Sequence, residues 1–373
     1  MASATPKLFQ PISVGPVQLK HRVVMAPLTR FRSSDPGHVP ILPMMKEYYT
    51  QRASTPGTLL ITEATFIAAR AGGFAHIPGI WSEDQIAAWK EITDSVHAAG
   101  SFFFLQLWAL GRTAEPKQLR AEDPSFAYVG ASDVGMKDEK ESPRPLTVAE
   151  IQEYVTLYAQ AAKNAIRAGF DGVEIHCANG YLLDQFIQPT SNNRTDEYGG
   201  SVENRSRFTL QVAEAVTKAV GPERTGLRLS PWSSFNEVGM DDPKPTYTYL
   251  VSQLKALHPS LAYLHIVEPR ISGDKTAGDA ADSAASNAFI RSIWAPKALI
   301  SAGGYTRDSA LQRAESEGDL IAFGRQFLAN PDLPLRLKMG IPHNAYDRKT
   351  FYLAASPKGY IDYPFAGDVV AKA

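Results

Sequence analysis

Gly172-Val173-Glu174-Ile175-His176-Cys177-Ala178-Asn179-Gly180-Tyr181 is the stretch on which the fold turns. Its first part is an apolar run that ends in polar groups. In an extended chain successive side chains point to opposite faces, so Val173, Ile175 and Cys177 share one face and Glu174 and His176 the other. A parallel strand covered by helices packs its apolar face against them, which leaves His176 facing inward, at the end of a barrel or crevice where ligands bind. Asn179 and Tyr181 then fall just past the strand end, in loop geometry. Together the three supply two hydrogen-bond donors and a phenol, a set suited to a substrate carbonyl that must be polarised and then protonated.

Working outward, eight short apolar runs recur at 23–28, 58–64, 102–108, 172–178, 226–231, 263–267, 298–303 and 320–324. Amphipathic spacing and start residues such as Ser82, Thr147 and Ser201 predict helices at 43–53, 83–99, 147–168, 202–220, 245–257, 287–294, 306–317 and 330–339. Eight strand–helix alternations without a break in composition read as one α/β domain over 1–373, a single (β/α)8 TIM barrel. The Pro-containing stretch 109–146 and the Gly, Ala, Ser and Asp-rich stretch 273–286 become long loops after strands three and six. Loops of that length are uncommon unless they serve a function such as lidding a site.

The alternation holds in other strands. Leu105 and Leu107 share one face, opposite Phe104, Gln106 and Trp108; Leu227 and Leu229 oppose Arg228 and Ser230. An inward arginine, glutamine, histidine and tryptophan leave several buried donors without partners unless a large, acceptor-rich group sits among them. A flat heteroaromatic cofactor meets that need, while an ion pair between Arg228 and Glu174 is the plainer alternative. After strands seven and eight, Gly303-Gly304 and Gly324-Arg325 stand where barrels commonly bind phosphate. Glycines let backbone N–H groups approach an anion, and arginine grips it with two donors.

Composition sets limits on the rest. A net charge of -1 over 373 residues argues against nucleic-acid and membrane surfaces, both of which call for basic excess. Cys177 is the one cysteine, so no intrachain disulfide can form. The opening residues carry no apolar signal region and no run approaches a membrane span, so a cytoplasmic location is expected. The histidines form no metal-binding spacing, and no metal is expected.

Longer motifs bring a family into view. Met25-Ala26-Pro27-Leu28-Thr29-Arg30, Gly57-Thr58-Leu59-Leu60-Ile61-Thr62-Glu63-Ala64, Gln106-Leu107-Trp108, Gly172 to His176 and on to Gln185-Phe186, and Arg194-Thr195-Asp196-Glu197-Tyr198-Gly199-Gly200-Ser201 resemble the Old Yellow Enzyme family of FMN-dependent ene-reductases. Gly226-Leu227-Arg228-Leu229-Ser230-Pro231, Phe323-Gly324-Arg325 and Gly359-Tyr360-Ile361-Asp362-Tyr363-Pro364 agree, so the resemblance spans nearly the whole chain in order.

The resemblance implies tightly but non-covalently bound FMN, with NADPH or NADH as reductant and an enone or enal as substrate, in a monomer or homodimer. Thr29 matches the threonine that hydrogen-bonds the flavin C4 carbonyl, and Pro27, Leu28 and Ala64 match residues whose backbone lines the ring. Gln106 matches the glutamine at the pyrimidine edge, and Arg228 the arginine beside N1 and the C2 carbonyl. Gly303, Gly304, Gly324 and Arg325 match the phosphate site. His176 and Asn179 match the donors to the substrate carbonyl, Tyr181 the proton donor, and Trp108 and Tyr352 residues shaping the substrate pocket. Phe235 is pocket wall or simple packing. A phenol, with an unperturbed pKa of about 10, is protonated at neutral pH and can serve as the acid. Hydride and proton added from opposite faces give a trans product, and a nicotinamide that leaves before the substrate enters gives ping-pong kinetics.

Two other readings compete. A redox-neutral isomerase or aldehyde-cyclising enzyme would use the same flavin fold. A barrel glycoside hydrolase would need paired carboxylates, and Glu63, Glu174 and Glu268 lie near strand ends. Parity turns Glu63 away from Thr62 and Ala64, so no convergent pair is evident. The charged and amide-rich run 192–207 is expected to hold His176, Asn179 and Tyr181 in place.

Overall fold

A computed structural model of the chain describes residues 5–273, 275–276 and 285–367. Its centre is a closed ring of eight parallel strands: β1 (Val23–Met25), β2 (Leu59–Ile61), β3 (Phe102–Trp108), β4 (Gly172–Cys177), β5 (Thr225–Leu229), β6 (Tyr263–Val267), β7 (Leu299–Ala302) and β8 (Leu320–Phe323). Each strand pairs with the next in sequence, β8 pairs with β1, and β2 closes onto β3 through Leu59 with Phe102 and Leu60 with Phe103. Outside lie α1 (Met44–Arg52), α2 (Glu83–Ala98), α3 (Val148–Arg167), α4 (Val202–Val220), α5 (Lys244–Leu257), α6 (Ala288–Trp294), α7 (Arg307–Glu317) and α8 (Leu333–Met339).

Strand parity builds two cores. Val173, Ile175, Cys177, Leu105, Leu107, Leu227 and Leu229 face outward into the layer shared with the helices. Val24, Leu59, Ile61, Phe104, Tyr263, Ile300, Ala302, Leu320 and Ala322 face inward. Burying each such aliphatic side chain contributes roughly 1.5–3 kcal/mol, which fixes the register because a one-residue slip would exchange the two sets. An antiparallel hairpin, Ile12–Val14 with Val17–Leu19, closes the lower end of the barrel by packing Val14, Val17 and Leu19 into the inner core.

Helix starts follow local chemistry. Ser82 and Thr147 form capping boxes with Gln85 and Glu150, and Ser201 accepts from Asn204 N–H. Helix α7 stops at Gly318, whose φ of 74° is the left-handed conformation that glycine reaches without Cβ strain.

The structure departs from the sequence expectations where the chain leaves the sheet. Strands one and two stop at Met25 and Ile61; Ala26 and Thr62 still donate to Phe323 O and Phe104 O, and the chain then leaves the ladder past the barrel rim, the second segment rejoining strand three at Thr65–Phe66. The long loop after strand three is partly ordered: it contains helix Pro116–Glu122 and the strand pair Val129–Gly130 with Arg144–Pro145. The loop after strand six begins with the pair Ile271–Ser272 and Lys275–Thr276; its low-complexity part lies largely outside the described residues. Short helices Leu182–Ile187 and Arg325–Ala329 follow strands four and eight directly, too brief for periodicity to reveal. Among the described residues no helix is long and apolar enough to cross a membrane.

Three buried arginines fasten the C-terminal segment across the barrel top. Arg30 donates to the carbonyls of Phe351 and Gly359, and Arg32 to those of Thr350, Phe351, Ser356 and Lys358. Arg52 donates to Tyr360 O while its guanidinium lies 3.7 Å from the centre of the Tyr48 ring, which itself stacks on Tyr360 at 3.9 Å.

Gly226 on β5 is a sensitive point of this barrel. A Cβ there would lie 2.3 Å from Cζ of Tyr263, against a buried ring with little room to move. Gly226→Ala is expected to lose about 1–3 kcal/mol of stability by overpacking. Urea unfolding would measure this, and an unchanged midpoint would count against so tight an inner layer.

Candidate active site

The upper end of the barrel opens into a cavity of about 770 Å³, within the rough 300–1,000 Å³ range of small-molecule sites. Every site residue inferred from the sequence lines it: Pro27, Leu28, Thr29, Ala64, Gln106, Trp108, His176, Asn179, Tyr181, Arg228, Phe235, Gly303, Gly304, Gly324, Arg325 and Tyr352. Residues 26–29 and Ala64 reach it from the segments that follow β1 and β2. Gln106 and Trp108 come from β3, His176 from β4 and Arg228 from β5. Five buried polar atoms on this lining have no hydrogen-bond partner among the described residues: Trp108 Nε1, His176 Nδ1, Asn179 Oδ1, Arg228 Nε and Gln326 Oε1. Since desolvating each costs on the order of 1–3 kcal/mol unless it is bonded, the cavity is built for a ligand rich in donors and acceptors.

Arg228 is half-buried, and no ion pair within 4 Å joins it to Glu174 among the described residues. The ion pair weighed from the sequence is therefore not formed. Glu174 is engaged elsewhere: Gln106 Nε2 donates to Oε1 at 2.7 Å, and His265 Nδ1 donates to Oε2 at 2.9 Å. Burial pushes the Glu174 carboxyl up, but His265, Arg228 and Gln106 together hold it below its ordinary range. Burial lowers His265, opposed by Glu174 and reinforced by Arg228. His176 is pushed well down by burial and then by Arg228 and His265, so it is a neutral imidazole at physiological pH.

The three aromatic side chains at the strand-four exit pack on one another. Tyr181 meets Trp108 edge to face at 4.7 Å and His176 at 5.1 Å, and Trp108 lies nearly parallel to His176 at 6.2 Å. Phe66 stacks on Trp108 from behind at 5.2 Å. Phe235 abuts the backbone of Gly273, and exposed Tyr352 stands edge-on to Phe31 at 5.8 Å, near the mouth.

The turn carrying Asn179 is held in a left-handed conformation, φ 58° at Asn179 and 74° at Gly180. A Cβ at Gly180 would approach Phe235 O to 2.8 Å, so only glycine fits. Asn179 N–H donates to Ser230 Oγ at 2.7 Å, and Asn236 Nδ2 donates to Asn179 O at 2.9 Å. Gly180 N–H donates to Asp184 Oδ2 at 2.8 Å, while Gln185 Nε2 donates to the carbonyls of Leu110 and Gly180. The run 192–207 acts one layer further out. Asn192 and Arg205 donate to Phe186 O and Ile187 O, which secures the short helix after Tyr181 and not the three residues directly.

The carboxylates of the glycosidase reading do not converge. Glu63 lies behind the lining, accepting from Arg30 N–H and Tyr49 OH, and burial raises its pKa to about 7. Glu268 accepts from Tyr305 OH at 2.7 Å, and neither it nor Glu63 lines the cavity. No cluster of three or more His, Cys, Asp or Glu side chains placed for a metal occurs among the described residues.

Sequence reasoning missed His265, Phe31, Phe74, Gln326, Tyr346 and Phe351. Parity held the signal for His265, since Leu264 and Ile266 face the helices. The other five lie outside the barrel strands, and all five line the cavity.

The chain matches the NADH:flavin oxidoreductase / NADH oxidase family over residues 7–344. It is similar to chanoclavine-I aldehyde reductase fgaOx3 of Penicillium roqueforti (strain FM164), 52% identical with 97% of each chain covered. It is also similar to NADP-dependent oxidoreductase lnbE of Aspergillus flavus, 48% identical over 98% of this chain and 97% of the other. Among solved structures it superposes on morphinone reductase with a TM-score of 0.86, 39% identity and 98% of each chain covered. Old Yellow Enzyme from Pichia sp. AKU4542 gives 0.88 and 38% over 97% of this chain and 94% of that one. The protein is thus a flavin oxidoreductase by fold and sequence, and it belongs to the Old Yellow Enzyme family.

Asp184 offers a test of the turn. Burial raises its carboxyl to about 6, against hydrogen bonds from Gly180, Gln188 and Tyr247 that lower it. Between pH 3.8 and about 6 the unfolded chain loses this proton while the folded chain keeps it, so stability falls as pH rises through that window. The loss is on the order of 3 kcal/mol. Urea unfolding from pH 4 to 7 is expected to show a shallower decline for Asp184→Asn; an identical slope would remove Asp184 as its source.

Proposed function

We propose that the protein is an FMN-dependent ene-reductase that reduces the activated C=C bond of α,β-unsaturated carbonyl compounds with NADPH or NADH, by a ping-pong mechanism. What supports this reading most is that His176, Asn179 and Tyr181 line one cavity together with Gln106, Arg228, Gly303, Gly304 and Arg325. The relatives' names, chanoclavine-I aldehyde reductase and aldehyde reductase FrzD of Cladobotryum sp, favour an enal over an enone.

The unpartnered polar lining suits FMN. Gln106 and Arg228 would hold its pyrimidine edge, Thr29 and the backbone of Pro27, Leu28 and Ala64 its ring, and Gly303, Gly304, Gly324 and Arg325 its phosphate. Gly303 and Gly304 have φ of 122° and 65°, conformations that open a backbone cradle for an anion. Bound there, the flavin supplies a two-electron carrier that the nicotinamide reduces and the alkene reoxidises.

The protein's own groups do the rest. Neutral His176 and the Asn179 amide hydrogen-bond the substrate carbonyl oxygen, drawing charge onto it and making the β-carbon electrophilic. Their turn is already rigid, so little reorganisation is needed. Tyr181 then delivers its hydroxyl proton to the α-carbon. Trp108, Phe235 and Tyr352 shape the space beside the carbonyl and exclude water. Nicotinamide and enal would use the same opening in turn, hence the ping-pong order.

Purified protein is expected to be yellow, to be bleached anaerobically by NADPH, and to regain colour on adding a cinnamaldehyde-type enal with saturation of its C=C bond. A colourless folded protein, or isomerisation of the enal with no net NADPH consumed, would overturn the reading.

Tyr181→Phe is expected to leave the NADPH half-reaction within about twofold and to slow the alkene half-reaction by roughly 10²–10⁴, the usual worth of a positioned acid. Stopped-flow absorbance separates the two, and an unaltered alkene step would remove Tyr181 as proton donor.

A further inference from the structure

Inside the barrel, just below the cavity, Gln106, Glu174 and His265 form a buried hydrogen-bonded chain contributed by β3, β4 and β6. The intervening strand β5 carries Gly226 at the level of Glu174 and Arg228 at the level of His265 and His176. The missing side chain at Gly226 leaves the space that the Tyr263 ring of β6 fills beside this chain. Glu174 is fully buried, and an uncompensated carboxylate there would be costly.

Both carboxylate oxygens are occupied by neutral donors and not by the nearby guanidinium. Arg228 therefore feels the charge of Glu174 without spending its N–H groups on it. An ionised carboxylate accepts only, so Gln106 must turn Nε2 toward it. That orientation leaves amide Oε1 and the second N–H of Gln106 for the cavity. A flavin pyrimidine edge presents an N–H flanked by two carbonyl oxygens, which is the complement of such an amide.

We propose that Glu174 is a positioning residue for the flavin: it fixes the amide orientation of Gln106 and offsets the charge that Arg228 presents to the pyrimidine edge. The proposal rests on the reading of the cavity as an FMN site. Its consequence is electrostatic. A negative charge held behind Arg228 weakens the preference of the site for the anionic, reduced cofactor, and so lowers the potential of the bound flavin.

Glu174→Gln keeps the size of the side chain and an acceptor for Gln106 but removes the charge. In the FMN-loaded protein the ratio of reduced to oxidised cofactor affinity is expected to rise about tenfold, which is about 30 mV toward positive for a two-electron couple. Anaerobic equilibration with a reference dye reads it without turnover. A ratio that is unchanged or falls in folded, FMN-bound E174Q would overturn the proposal alone.

Should E174Q not fold, an atomic-resolution structure of the wild-type FMN complex decides: Gln106 Nε2 on Glu174 is expected. A direct Glu174–Arg228 ion pair or a reversed amide would overturn the proposal. Wild-type protein that takes up no FMN would instead remove the reading beneath it.

Discussion

A carboxylate sealed inside a barrel is the constraint around which this site is arranged. Closing eight strands turns every second residue inward, and on β4 that places Glu174 where no water reaches it. Such a charge persists only with donors on both oxygens, and Gln106 and His265 meet that need from strands on either side. Arg228 is left near enough to stabilise the charge and free enough to face the cavity. The same arrangement keeps His176 neutral, because burial and the adjacent guanidinium both penalise a second positive charge.

The layer above is held by backbone contacts more than by charge. Asn179 and Gly180 occupy left-handed geometry because Ser230, Asn236, Asp184 and Gln185 engage the turn from four directions. Asp184 is effective here because its carboxylate oxygens bind the turn, Gln188 and Tyr247 at once. A loop so clamped holds the Asn179 amide at a fixed place beside the His176 imidazole at the end of β4. The aromatic stack of Phe66, Trp108 and Tyr181 backs that pair with rigid walls.

How much was legible in advance differed by kind of residue. Alternation in β3, β4 and β5 predicted the facing of Gln106, Glu174, His176 and Arg228 correctly, because a period of two is a local property of extended chain. The same rule applied to β6 would have found His265. The Arg228–Glu174 pair, the plainer alternative, is absent for a reason that local pattern cannot carry: Gln106 and His265, the latter two strands away, occupy the carboxylate oxygens. Phe31, Phe74, Tyr346 and Phe351 escaped notice because they lie outside the barrel strands. The segment bearing Phe351 is placed by arginines more than 300 positions earlier. Strands one and two are shorter than their apolar runs because the chain leaves the ladder after Ala26 and Thr62, and Pro27, Leu28 and Ala64 line the cavity instead.

By itself, then, the sequence determined the barrel, the inward set of polar residues and the family, since these follow from periodicity, from glycine and cap positions, and from long ordered motifs. Tertiary structure alone decided who bonds to whom within the barrel, how the C-terminal segment crosses its top and which aromatic side chains wall the mouth. Those choices depend on distances between residues far apart in the chain, set only when closure of the ring brings β3, β4 and β6 around one buried charge.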